Sequence, residues 1–251
     1  STKSLEMNNV SINAYNAYSN SGYLKLTDVD ITARNTGIVT SNEAELKNVD
    51  ITSSSTALNN SSKLSYTNGN VKNSSGYGLY NNTTNDVTIS NIKFNSSGNS
   101  VYNQAAGLLT MTDINISGGG QLVNNNASGI IKYTDGSTDC IVVNNGNMEI
   151  DNVTMKYTAT YNRGETYINN SNKLAMKNSN VTFTKNVSVG SYDYFAIKSS
   201  GELVLESNTI TADNKQNNGH MYAVYIGGSK NFTSTDDTIK TINSVGGASG
   251  Y

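Results

Sequence analysis

Apolar residues recur along this chain in one phrase: two at alternate positions, a step of three carrying Asn or Asp, then two more at alternate positions. Leu24-Lys25-Leu26-Thr27-Asp28-Val29-Asp30-Ile31 is a clear copy, preceded by Leu5-Glu6-Met7-Asn8-Asn9-Val10-Ser11-Ile12. Further copies centre on Leu46, Tyr66, Ile89, Met111, Tyr133, Ile150, Met176, Leu205 and Ser234, spaced by about 17 to 29 residues. The copy at Tyr133 is degenerate, but Lys132-Tyr133-Thr134-Asp135-Gly136 echoes Ser65-Tyr66-Thr67-Asn68-Gly69. A second phrase, one or two apolar residues followed by Asn, lies between copies: Leu79-Tyr80-Asn81, Val101-Tyr102-Asn103, Leu122-Val123-Asn124, Val142-Val143-Asn144 and Tyr167-Ile168-Asn169, with Ala57-Leu58-Asn59-Asn60 beside them.

Alternation of period two specifies strand. The step of three breaks it, and Asn or Asp at the break tolerates the left-handed backbone of a sharp bend. Each copy is therefore strand, bend, strand, and the second phrase supplies a third strand. Three short strands in about 23 residues, with no helical period and no Pro, describe one coil of an all-β parallel β-helix. A propeller blade needs about 40 residues or more. The expectation is one domain over 1–251 with eleven coils, regular over 1–146 and carrying longer loops over 147–251. At ~4.8 Å per coil the rod would be about 50 Å long.

Stacking turns each position into a column of like residues. Asn9, Asp28, Asn48, Asn68, Asn91, Asp113, Asp135, Asn152 and Asn178 form one column; Asn60, Asn81, Asn103, Asn124, Asn144 and Asn169 form another. Outward charges alternate in sign, as in Glu6, Lys25, Glu45 and in Asp151, Lys177, Glu206. Each opposed pair adds roughly 0.2–1 kcal/mol, so such pairs fix register more than they stabilise.

Composition follows from the columns. Asn, Ser and Thr make up roughly 40% of the chain, far from average usage. Net charge is −2, so no basic surface offers itself to nucleic acid. No apolar run approaches the ~20 residues of a membrane helix. One Cys and one His exclude a disulfide framework and a Cys/His zinc site. No secretory leader is legible, and the chain reads as a mature or excised segment.

The Leu-x-Leu-x-[Asn/Asp]-x-x-[Ile/Val]-Thr phrase, the Asn columns and the scarcity of Cys resemble bacterial surface β-helices, above all the passenger domains of autotransporter adhesins in the pectin-lyase-like superfamily. The likeness spans the whole chain. It implies a single-stranded, right-handed coil, export to the extracellular cell surface, and adhesion to a host-cell or bacterial-surface protein or glycan, or self-association. No C-terminal membrane barrel is legible within these residues, so the export route is itself inferred. The scaffold also carries lyases, hydrolases and tailspikes, so it does not dictate function.

Candidate chemistry is sparse, and no cofactor is expected. Asp113 and Asp135 fall about 5 Å apart on adjacent coils, near the separation of a retaining glycosidase pair; the plainer reading is two variants in a bend column. Asp28, Asp30 and Asp50 could offer oxygens to Ca²⁺, or simply form a solvated acidic face. His220 is the one His, and no nucleophile motif accompanies it. Cys140, in an apolar strand, reads as packing. The most informative feature is an asymmetry. Coils eight to ten take several more residues between the first phrase and the second than the early coils do. Those connections hold Tyr157, Tyr161, Arg163, Glu165, Tyr192, Asp193, Tyr194, His220 and Tyr222. Solenoid insertions map to one face, often the binding face, and Tyr and Arg dominate recognition hot spots. The alternative is that these tyrosines cover strand edges. The sequence thus favours a non-catalytic adhesin segment, over a polysaccharide lyase, hydrolase or tailspike-like depolymerase, and over a self-associating stalk.

Overall fold

The computed structural model describes residues 4–161, 163–187, 192–216, 219–228 and 230–243. They form a right-handed parallel β-helix. One strand of each coil joins a first sheet, stacked in chain order from Ser4–Ala14 to Phe232–Thr235; another joins a second sheet, from Tyr18–Asn20 to His220–Ile226. No helix occurs among the described residues.

Register between coils is that of the repeated phrase. Met7, Leu26, Leu46, Tyr66, Ile89, Met111, Tyr133, Ile150, Met176, Leu205 and Ser234 pair in unbroken succession. From Leu26 to Leu205 these side chains are at most 2% exposed. Glu6, Lys25 and Glu45 pair in the same ladder facing out, as do Asp151, Lys177 and Glu206.

The bend is a left-handed residue in each coil, followed in coil seven by Gly136 at φ 105°. All nine Asn and Asp positions read from the phrase have φ between 50° and 59°, and Ser207 and Asp236 extend the column. Through coil seven the two arms on either side stay one strand, as in Tyr23–Ala33. From coil eight they separate, as in Asn147–Asp151 and Thr154–Ala159.

Two amide columns run along the rod. The outer one sits at the bend in solvent, where Asn48 Nδ2 donates to Asp28 (2.7 Å), Asn68 to Asn48 (3.0 Å) and Asn91 to Asn68 (2.8 Å). Each bond points back toward the preceding coil. The inner one lies on the second sheet, where Asn60 donates to Asn81 (2.9 Å), Asn81 to Asn103 (2.8 Å), Asn103 to Asn124 (3.1 Å) and Asn124 to Asn144 (3.1 Å). These bonds point forward. The sixth inner rung is Asn170, bonded by Asn144 at 2.8 Å, and not the expected Asn169, which pairs with Val143 on the outer face. The phrase there is Ile168-Asn169-Asn170, one residue later than the apolar pair at Tyr167 suggests.

Two coils put Tyr in the core and Gly three residues on, and the structure gives the reason. Tyr66 Oη donates to Val49 O (2.5 Å), Tyr133 Oη to Ile114 O (2.6 Å). The ring thus fills the place where the neighbouring coils hold Val or Ile. A Cβ at Gly69 would lie 2.5 Å from Tyr66 Oη. Burial raises both phenols well above their usual range. At coil eleven the core is open, with Phe232, Ile239 and Ile242 over 40% exposed.

Candidate functional site

The rod changes width at coil eight. In coil seven the arm after the bend ends at Thr138; in coil eight it runs on to Ala159, although Thr138 pairs with Met155. Lys156–Ala159 therefore project beyond the preceding coil. The added width is filled by rings. Tyr157 stacks on Tyr167 (5.2 Å between centroids) and on Phe183 (5.9 Å), and Phe183 meets Tyr194 (6.5 Å). Lys185 is fully buried, its Nζ without a hydrogen-bond partner and 5.0 Å from the Tyr194 ring. Burial lowers its pKa.

The shoulder overhangs a cleft of about 810 Å³. The narrow coils give it Gly118, Gly119, Gln121, Asp139 and Ile141; the wide coil gives it Lys156, Tyr157 and Thr158 and, from the loop that follows, Thr160, Tyr161, Arg163, Gly164, Glu165 and Thr166. Glu165 secures that loop. Its carboxylate accepts from the Tyr157 hydroxyl and from the Tyr161 N–H (2.6 Å), and it is 8% exposed. Burial, then Glu165, pushes the Tyr157 phenol above its usual range. At the rim the Arg163 guanidinium lies 4.8 Å from the Tyr161 ring centroid, and Tyr161 is 56% exposed. A smaller hollow of about 410 Å³ shares Gly119 and Gln121 and continues to Tyr77.

Of the residues singled out from sequence, Tyr157, Tyr161 and Arg163 meet in this cleft. Tyr192, 46% exposed, belongs to the next coil, where its Cβ approaches Gly164. Tyr194 does not present its ring: it is fully buried, and its hydroxyl donates to Tyr161 O (3.2 Å). The strand Asp193–Ser199 enters with Tyr194 on the inward phase, beside Met221. His220 and Tyr222 lie two coils beyond the shoulder in a separate aromatic patch. There Phe195 stacks on Tyr222 (5.0 Å) and meets Tyr225 (5.1 Å), with Lys198 Nζ 4.8 Å over Phe195.

Phe195, Lys198 and Tyr225 were missed, as was a cluster of Tyr77, Tyr80 and Tyr102 with centroids 5.0 to 5.7 Å apart. The available signal was the middle residue of the second phrase. Tyr80, Tyr102, Val123, Val143, Asn169, Lys198 and Tyr225 form one continuous outward column.

Asp28, Asp50 and Asp135 accept hydrogen bonds from the coils that follow them. Asp28 accepts from Asn48, and Asp50 accepts from the Asn70 N–H (2.8 Å) and Nδ2. Among the described residues no three or more His, Cys, Asp or Glu are grouped to hold a metal ion. Asp135 accepts from Asn152 (2.6 Å), and it and Asp113 are both bend residues. On the first sheet's outer face Glu149 and Asp151 each meet a lysine at 3.3 Å, Lys132 and Lys177. Cys140 is fully buried; burial pushes its thiol up to about 12, so it is not a thiolate near neutral pH. Comparison with family models, curated proteins and solved structures returned no match.

Proposed function

We propose that this chain is a non-catalytic binding rod of the bacterial cell-surface adhesin kind, engaging a host-cell or neighbouring-cell protein or glycan through the shoulder cleft at coil eight. One observation carries the reading. The roomiest concavity described above has an exposed Tyr–Arg stack at its rim, and its buried acid is occupied in holding the loop. Stacked Tyr and Arg give a ligand a large, preorganised contact at low entropic cost. Glu165 accepts two hydrogen bonds from its own loop, so it serves architecture better than proton transfer.

The test is cell adhesion together with a glycan array, using the wild type and the pair Tyr161→Ala, Arg163→Ala. Hot-spot truncation of this kind removes about 2 kcal/mol or more, a loss near thirtyfold. That loss at an unchanged melting temperature supports the reading; unchanged adhesion and glycan binding reject the cleft. Turnover of acidic polysaccharide by the wild type would put an enzyme in its place.

A further inference from the structure

We propose that the cleft receives an extended, acidic polypeptide segment that adds as a strand to the open edge of Lys156–Ala159. The inference rests on the binding reading above and names the class of partner.

The edge follows from the register. On the far side, all six residues of Thr154–Ala159 pair with Asn180–Lys185. On the near side, only Thr154 and Met155 pair with coil seven, through Ser137 and Thr138. In a parallel ladder, backbone groups of successive residues point alternately to the two neighbours. The bond from Asn180 N–H to Val153 O sets the phase, so the odd-numbered residues of this arm face coil nine. Thr154, Lys156 and Thr158 consequently face coil seven. Among the described residues no backbone bond joins Thr158 to coil seven. Its N–H and C=O open into the cleft, with Thr158 in the lining.

The opposite wall admits a backbone. Gly118 and Gly119 form a turn at φ 100° and 75°, and nothing lies within 4 Å of where a Gly119 Cβ would stand. Ile141 adds an apolar contact for one face of an added strand. A donor and an acceptor presented together by one strand residue match a peptide backbone.

Charge selects among peptides. Among the described residues neither Lys156 nor Arg163 forms an ion pair; of the two acids in the lining, Glu165 is tied to Tyr157 and Tyr161, and Asp139 belongs to the coil-seven wall and not to the wide coil that carries the open edge. A lysine on an open edge discourages indiscriminate pairing. A strand carrying Asp or Glu turns that deterrent into a contact.

The experiment selects a phage-displayed random heptapeptide library on the wild-type rod, then measures the enriched peptides, dye-labelled, by fluorescence polarisation. The expectation is enrichment of acidic sequences rich in β-branched residues. Thr158→Pro, which deletes the N–H facing the cleft, weakens them tenfold or more; Thr158→Val, which keeps it, stays within twofold. Arg163→Glu reverses the charge preference, and carries the test alone if Thr158→Pro does not fold. No enrichment, equal binding to Thr158→Pro, or an unchanged preference in Arg163→Glu overturns the proposal. Peptide failure with glycan binding that still needs Tyr161 and Arg163 leaves the cleft and removes the strand; loss of both removes the cleft as well.

Discussion

The two amide columns use one residue type for different physical reasons. Along the second sheet, Asn60, Asn81, Asn103, Asn124, Asn144 and Asn170 are fully buried. Each must satisfy its carbonyl and amine without water, and does so through the adjoining rungs and nearby main chain, as when Asn124 Nδ2 reaches Gly129 O (3.1 Å) and Asn144 Nδ2 reaches Lys173 O (2.7 Å). At the bend, Asn48 and Asn91 are exposed and Asn68 is half-buried, and what the site requires is a left-handed backbone. Buried amides are held by hydrogen-bond accounting, exposed ones by sterics. Spacing alone makes the two look alike.

Substitutions separate them. The largest effect is expected from Asn103→Leu, which strands Asn81 Nδ2 and the Asn124 carbonyl in the interior. Two unsatisfied buried groups cost about 4 kcal/mol together, read as a lower urea midpoint. Next comes a contrast within the interior, since the amides do not titrate but the buried tyrosines do. Burial raises Tyr66, Tyr133 and Tyr167 above the unfolded value of 10.0. Their contribution is therefore complete below pH 10 and declines as pH rises toward the folded values, by about 1.4 kcal/mol per pH unit for each. Tyr66→Phe should flatten that alkaline decline in pH-dependent unfolding. At the bend, Asn68→Val should cost about 2 kcal/mol for the left-handed backbone, while Asn68→Gly should stay within about 0.5 kcal/mol in the same urea assay. Equal losses for Val and Gly there would erase the distinction between the columns.

Much of the architecture was legible because stacking copies one constraint into every coil. The phrase centres and the nine bend residues stand where the spacing places them. Ser207 was passed over because serine lacks the left-handed preference of Asn and Asp, and there the ladder imposes the conformation. The sixth inner rung slipped by one because Tyr167 and Ile168 are both apolar and both buried, so period two does not decide which precedes the amide. Tyr194 was misjudged for a related reason: alternation gives the faces of a strand but not its phase after a long loop. The cleft was legible only in part. Extra residues in coil eight announced a loop with Tyr161 and Arg163. The shoulder itself arises from where two neighbouring arms stop, Thr138 against Ala159, and that difference exists between coils rather than within either.

The opposed directions of the two columns bear on the rod's electric field. Each amide is a dipole, and a file of aligned ones would charge the tips as a helix charges its termini. Here one file has its positive end forward and the other has it backward. Along each strand, successive backbone groups point alternately up and down the rod as well. The long-range contributions largely cancel, and an approaching molecule is steered by the side chains of the flanks rather than by the axis.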